Sequence, residues 1–230
     1  MKKSLIILLF FCQGMRSQNA EAILKKATSC FEQNKSISFV SKYQLFKTYT
    51  SKEVIEYYVG AFKKSGNEIY QKIGTTEFLQ SNNKSLKIIN KEKTMVYSAN
   101  VAVLNQNAFD LKLLEKTYKV KTVIDCKDHW EIELESKQFT SVIYGKIVLW
   151  ITKNYTLKKQ LFYYSIAVDF SKKHNKNDLE MPRLEVDIQD VNLNASIPKN
   201  IFDMSSYVAV LGSTIKPIGK YSKYKVIVQK

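Results

Sequence analysis

Glycine and proline are scarce in this chain: its 230 residues hold seven Gly and three Pro. That composition excludes collagen-like and Gly/Pro-rich low-complexity architectures, and no internal repeat of fixed period stands out. Histidine is scarcer still, with only His129 and His174. No third histidine and no Cys-x-x-Cys pair stands near either, so we expect no metal site and no cofactor. His174 falls in a polar loop and His129 on the polar side of an alternating strand, and both are expected in water. There is no glycine-rich phosphate loop and no nucleophile-elbow sequence around a serine, which removes common nucleotide-binding and hydrolase signatures. Glu131, Glu133 and Glu135 share one strand face, which reads as solvent-facing alternation rather than acid–base machinery. Long apolar runs are missing as well. Leu5–Phe11 falls far short of the roughly 20 residues that a membrane-spanning helix needs. We therefore read a non-enzymatic protein with no catalytic residues.

What the chain has is alternation. From Ile37 to Leu193, apolar and polar residues trade places with a period of two. Trp130, Ile132 and Leu134 alternate with His129, Glu131, Glu133 and Glu135. Leu184, Val186 and Ile188 alternate with Glu185, Asp187 and Gln189. A period of two sends successive side chains to opposite faces of a strand, one dry and one wet. Repeated along most of the chain, it predicts a long antiparallel sheet with one apolar face to cover.

At the N-terminus, Lys2 and Lys3 precede the apolar run Leu5–Phe11 and then the small and polar stretch Cys12–Ala22. This is the order of a secretory signal. We place the signal at residues 1–17, with cleavage after Ser17 and with Ala20 or Ala22 as alternatives. Phe10 and Phe11 are bulky where lipoprotein processing at Cys12 would want small residues. The mature chain, 18–230, is long enough for one domain with its own core. An exported, soluble protein in the periplasm follows as the expected location.

Net charge is +15 and falls to +12 when Lys2, Lys3 and Arg16 leave with the signal. In an exported protein this directs attention to membrane surfaces, lipid headgroups and acidic protein patches rather than nucleic acid. The lysines are widely spread, which also suits a solvated sheet face with charged edges. Two cysteines remain after export, Cys30 and Cys126, and an even count in an oxidising compartment permits one disulfide. Both are expected to point inward, as a bridge or as two buried thiols.

Along the mature chain we read an amphipathic helix at Asn19–Gln33, with the stripe Ala20, Ile23, Leu24, Ala27, Cys30, Phe31. Strands follow at Ser36–Tyr49, Val54–Lys63, Glu68–Ile73, Thr76–Gln80, Leu86–Asn90 and Thr94–Tyr97. A short helix covers Phe109–Tyr118. Strands resume at Lys119–Cys126, His129–Ser136, Lys146–Thr152, Leu157–Phe170 and Arg183–Asn194, and one more is expected at Tyr224–Val228. The step from Ile188 to Val191 suggests a bulge. A sheet of about ten strands curls rather than staying flat. The expected fold class is mainly β: a single curved antiparallel sheet forming a half-barrel around an N-terminal and a central helix. Its concave face would carry Phe39, Tyr43, Tyr57, Phe62, Trp130, Ile132 and Leu149 as cavity candidates.

The order of elements resembles the periplasmic lipoprotein-carrier family, LolA and its outer-membrane relative LolB. The resemblance rests on Ile23-Leu24-Lys25-Lys26-Ala27 in the first helix, Ser38-Phe39-Val40 in the first strand, and the Gly-x-apolar element Gly60-Ala61-Phe62-Lys63-Lys64. It continues through Phe78-Leu79, Leu86–Asn90, Lys93–Tyr97 and the late hairpin Ile147–Lys153 with Leu157-Lys158-Lys159. It closes at Ile188–Val191, Ile197-Pro198 and Ile201-Phe202. The family's arginine and proline after the Gly-x-apolar element are replaced by Lys63-Lys64-Ser65-Gly66-Asn67, so Lys63 and Lys64 are the candidates for a gate or headgroup contact. A lysine lacks the rigid donor fork of arginine. The resemblance implies a LolA-like, monomeric carrier that shields the acyl chains of lipoproteins or lipids. Its partners would be inner- and outer-membrane lipoprotein-sorting proteins, without nucleic acid. An envelope lipid-sensing or partner-binding module on the same fold, without cargo transfer, is the alternative. Tyr207–Lys230 extends past the resemblance and is expected to add an edge strand.

Overall fold

The computed structural model describes residues 20–99, 111–138, 142–171, 178–212 and 214–229. The expected signal, residues 1–17, lies outside these, as does the lysine- and asparagine-rich stretch 172–177. The protein is mainly β. Helix α1 covers residues 20–33. Strands β1 (Ser36–Phe46), β2 (Val54–Ser65), β3 (Glu68–Ile73), β4 (Thr76–Ser81), β5 (Lys84–Ile89) and β6 (Thr94–Ser98) follow, then α2 (Leu111–Thr117). After α2 come β7 (Tyr118–Asp125), β8 (His129–Ser136), β9 (Tyr144–Thr152), β10 (Leu157–Tyr164), β11 (Val168–Asp169), β12 (Leu179–Glu180) and β13 (Arg183–Asn192). The C-terminal segment adds β14 (Val208–Leu211), β15 (Thr214–Pro217) and β16 (Lys225–Gln229).

Twelve strands join in one sheet, in the order β16-β6-β5-β4-β3-β2-β1-β13-β10-β9-β8-β7, and β11-β12 and β14-β15 form separate ribbons. The chain divides into two compact units. The first is Met1–Gln33, Lys42–Tyr57 and Asn107–Ile188; the second is Asn34–Ser41, Tyr58–Gln106 and Gln189–Lys230.

In the first unit, one face of α1 explains the local fold. Ala20, Ile23, Leu24 and Ala27 recur at helical spacing and are buried with Ile132, Leu134, Ile147, Leu149 and Ile151 of β8 and β9. Ile132 and Ile151 are wholly inaccessible and Leu149 is nearly so. Each such side chain stabilises the fold by about 1.5–3 kcal/mol relative to an exposed one. Register puts these residues on the same face: Ile132 pairs with Leu149, and Leu134 with Ile147. The expected dry side of the alternation is therefore the side that α1 covers.

In the second unit a second core gathers Leu79, Leu86, Ile88, Met95 and Tyr97 with Val208 and Tyr221 of the C-terminal segment. The β4–β5 hairpin turns through Asn82 and Asn83, both with left-handed backbone (φ 49° and 60°). That is the requirement of a type I′ two-residue turn, and asparagine tolerates it.

The expected elements recur with shifts of a few residues, and β3 and β8 span the expected residues. Asp190 takes φ 54° at the expected interruption of β13. Four features differ from expectation. The strand expected over Leu157–Phe170 leaves its ladder at Tyr164, because the Tyr164 N–H bonds Pro182 and the Ser165 N–H bonds Ile143, which turns the chain away. The expected edge strand near the C-terminus does form, but β16 pairs with β6 in parallel, Lys225 facing Thr94. A signal of period two cannot distinguish parallel from antiparallel neighbours. His129 is buried, at 8% exposure, rather than solvated. Glu185, expected in water, is buried at 9%, held between two cations.

Candidate functional site

The first unit exposes several large apolar side chains. Ile143, Ile166, Leu179 and Tyr57 are all more than half exposed (58, 58, 57 and 51%), and Tyr49, Val54, Ile55 and Met181 join them in water. Hydrogen bonds and an ion pair tie the segments that carry Tyr49, Ile143, Ile166 and Leu179. The Tyr49 hydroxyl donates to the Tyr164 carbonyl, and the Ser165 N–H donates to Ile143 O at 2.8 Å. The Arg183 guanidinium donates to the carbonyls of Tyr49 and Ser51 and lies 4.3 Å over the Phe46 ring. Lys47 and Asp178 form an ion pair at 2.7 Å, and the Asp178 carbonyl accepts from Phe170 N at 3.0 Å. The bond from Asp178 also holds the Lys47 ammonium above its ordinary pKa. Partial burial, a different cause, raises the Tyr49 phenol. Rigid polar ties beneath an exposed apolar rim can offer apolar surface without letting the loops collapse onto one another.

The opposite face of the same unit's strands is charged and internally paired. Lys159 reaches Glu185 at 2.5 Å and Asp187 at 3.5 Å, and Arg183 reaches Glu185 at 2.8 Å. Lys121 spans Glu133 and Glu135 at 3.5 and 3.3 Å. Desolvation alone would lower the Lys159 pKa, but the carboxylates of Glu185 and Asp187 outweigh it and the net shift is upward. These carboxylates pair with lysines and with Arg183.

The cavity candidates fall into separate groups. Ile132 and Leu149 lie in the close-packed core under α1, with Trp130 packed at its border. Trp130 stacks on Tyr155 with centroids 5.4 Å apart and carries Lys153 4.1 Å above its ring. Tyr57 is half exposed on β2, and Tyr43 is half-buried on β1. Phe39 and Phe62, both in the second unit, stack at 4.7 Å, Phe62 buried and Phe39 half-buried. Lys63 and Lys64 are half-buried, and Lys64 donates to the carbonyl of Asn34 at 3.2 Å. Cys30 and Cys126 are not joined and both remain thiols; burial raises the pKa of each, and Glu131 raises that of Cys126 further.

The second unit holds a cleft of about 550 Å³ that sequence reasoning does not find. Tyr97, Phe202, Met204 and Val208 supply its apolar lining, and Glu68, Lys84, Lys199 and Asp203 its polar lining. Five of these eight residues come from the stretch 199–208, whose docking against β4–β6 has no signal in local alternation. Of the missed rim residues, Leu179 stands between Asp178 and Glu180 and Ile166 between Ser165 and Ala167, whereas Ile143, between Val142 and Tyr144, carries no such local signal.

No family model matches the chain, and no curated protein matches its sequence. Solved structures are similar in fold. A LolA superfamily protein from Nitrosomonas europaea shares 15% identity, with a TM-score of 0.37 over 82% of this chain and 97% of that one. A putative outer membrane lipoprotein-sorting protein domain from Vibrio parahaemolyticus shares 11%, with a TM-score of 0.39 over 80% and 96%. An uncharacterized conserved protein from Thermus thermophilus shares 8%, with a TM-score of 0.48 over 92% and 99%. With these solved structures the likeness is one of backbone path at low sequence identity.

Proposed function

We propose that the protein is an exported, non-enzymatic binder of acyl chains, a periplasmic carrier of lipids or lipoproteins that serves outer-membrane lipoprotein sorting. The observation that carries the reading is the exposed apolar rim of the first unit, Ile143, Ile166 and Leu179 with Tyr49, whose segments are tied together by hydrogen bonds from Tyr49, Ser165 and Arg183 and by the Lys47–Asp178 pair. A chain that exposes isoleucine and leucine on neighbouring loops gains by covering them with apolar ligand. An acyl chain contributes about 0.8 kcal/mol per buried CH₂, so partial burial of one chain already yields useful affinity. The signal-like N-terminus and the net charge of +12 after its removal suit an anionic envelope surface.

Delipidated protein should take up a fluorescent fatty acid, and Leu179→Asp or Ile166→Asp should weaken uptake at least tenfold while the fold stays intact. A protein that takes up no fatty acid, or whose rim variants bind as before, contradicts the proposal. Vesicle-to-vesicle transfer then separates a carrier, which releases cargo, from an envelope lipid sensor, which holds it.

A further inference from the structure

The β7–β8 hairpin brings together three metal-ligating groups that the function proposed above does not use. Its sequence is Cys126-Lys127-Asp128-His129-Trp130-Glu131. Asp125 pairs with Trp130, and the Cys126 N–H donates to His129 O at 2.9 Å, so Lys127 and Asp128 form the tip. Residues facing one another across a hairpin put their side chains on the same side, and so do residues two apart in one strand. Cys126, His129 and Glu131 therefore converge by backbone geometry alone.

The side-chain distances agree. Their donor atoms all lie within 4.8 Å of one another. Cys126 Sγ is 3.8 Å from Glu131 Oε1, and His129 Nε2 is 3.3 Å from the same oxygen. Tetrahedral zinc, with bonds of about 2.0–2.3 Å, sets its ligands roughly 3.3–3.8 Å apart. Two of the three edges already have that length. His129 is also fixed as a ligand would be. It is buried, its ring stacks on Trp150 at 4.7 Å, and its Nδ1 lies 2.7 Å from Asp128 Oδ1. Lys158 holds the other Asp128 oxygen at 2.5 Å. A carboxylate on the far nitrogen of a histidine is the usual outer-shell partner of a metal-bound imidazole, because it sets the tautomer that turns the Nε2 lone pair toward the ion.

We propose that Cys126, His129 and Glu131 bind one borderline-soft divalent cation, of which Zn²⁺ is the type, with Asp128 as the positioning residue for His129. One thiolate, one imidazole and one carboxylate match zinc rather than calcium or magnesium, which take oxygen donors. Three protein ligands leave a fourth position for water or an incoming donor.

The test uses the full chain, reduced, stripped with a chelator and dialysed against Zn²⁺, with Co²⁺ titrated in parallel. One equivalent of metal should bind. Co²⁺ should produce thiolate-to-metal charge-transfer absorption and quench Trp150. Cys126→Ser should abolish the charge-transfer band and Cys30→Ser should leave it unchanged. Asp128→Asn should weaken affinity by about 10–100-fold, as expected for an outer-shell partner. Because His129 is buried, His129→Ala could unfold the hairpin, so Glu131→Gln, at a half-exposed position, carries the same test and should lower affinity at least tenfold with an unchanged circular dichroism spectrum. Absence of stoichiometric uptake by the unaltered chain, or a charge-transfer band that survives Cys126→Ser, overturns the proposal.

Discussion

Replacing Glu185 by alanine removes the carboxylate that Lys159 and Arg183 share. The three side chains are 12, 18 and 12% exposed for Glu185, Lys159 and Arg183, so the two cations left behind have little water to turn to. Lys159 would keep Asp187 at 3.5 Å, and Arg183 its bonds to the carbonyls of Tyr49 and Ser51. Breaking a buried ion pair from one side costs about 3–5 kcal/mol. With a urea dependence near the upper end of the usual range, about 3 kcal/mol per molar for a chain of this size, the midpoint should fall by roughly 1–2 M. Both tryptophans, Trp130 and Trp150, lie in the first unit, so intrinsic tryptophan fluorescence reports the unit that contains Glu185. A double substitution, Lys159→Met with Glu185→Leu, should recover part of the loss, because it removes one of the two stranded cations and fills the space with apolar side chains, while Arg183 keeps its bonds to the carbonyls of Tyr49 and Ser51. A loss below about 1 kcal/mol, the worth of a solvent-exposed pair, would refute the burial argument.

Three further outcomes follow from the packing and burial described above. Ile132→Ala, in the core under α1, should destabilise by about 2–5 kcal/mol in the fluorescence-detected urea transition; a loss under about 1 kcal/mol would mean that α1 does not cover β8. Leu179→Asp, on the rim, should change stability by no more than about 0.5 kcal/mol while reducing fatty-acid uptake; equal damage to both would identify Leu179 as core. Burial pushes the phenols of Tyr144 and Tyr207 up to about 12, with neighbouring Tyr164 and Glu77 adding to the respective shifts. Their folded pKa values exceed the unfolded one, so the associated stability is present below the unfolded value near 10 and is lost as pH rises through about 12. Urea midpoints measured across the alkaline range should hold to about pH 10 and then fall, and a profile that rises above about pH 10 would contradict the assignment.

Period-two alternation makes most of the strands legible, because a residue's face is a local property. The pattern assigns Trp130, Ile132 and Leu134 to the dry face, and Ile132 and Leu134 lie in the core with Trp130 at its border. Local pattern does not encode what a polar face meets. Glu185 alternates like a solvated residue, yet Leu161, its register partner, stands two residues from Lys159, which brings an ammonium onto it. The Cys126–Glu131 cluster is legible in principle. A two-residue tip at Lys127-Asp128 between alternating strands already places Cys126 opposite His129, but a search for a second histidine or Cys-x-x-Cys pair passes over it. The cleft in the second unit is not legible, since it depends on docking of Phe202, Met204 and Val208 from far along the chain.

Native mass spectrometry of protein purified from the cell envelope without detergent tests the central claim most directly. The account predicts a population carrying lipid or lipopeptide mass, displaced by added fatty acid and much reduced in Leu179→Asp. A single apo mass for the unaltered protein, with no adduct after incubation with phospholipid or lipopeptide, would contradict it.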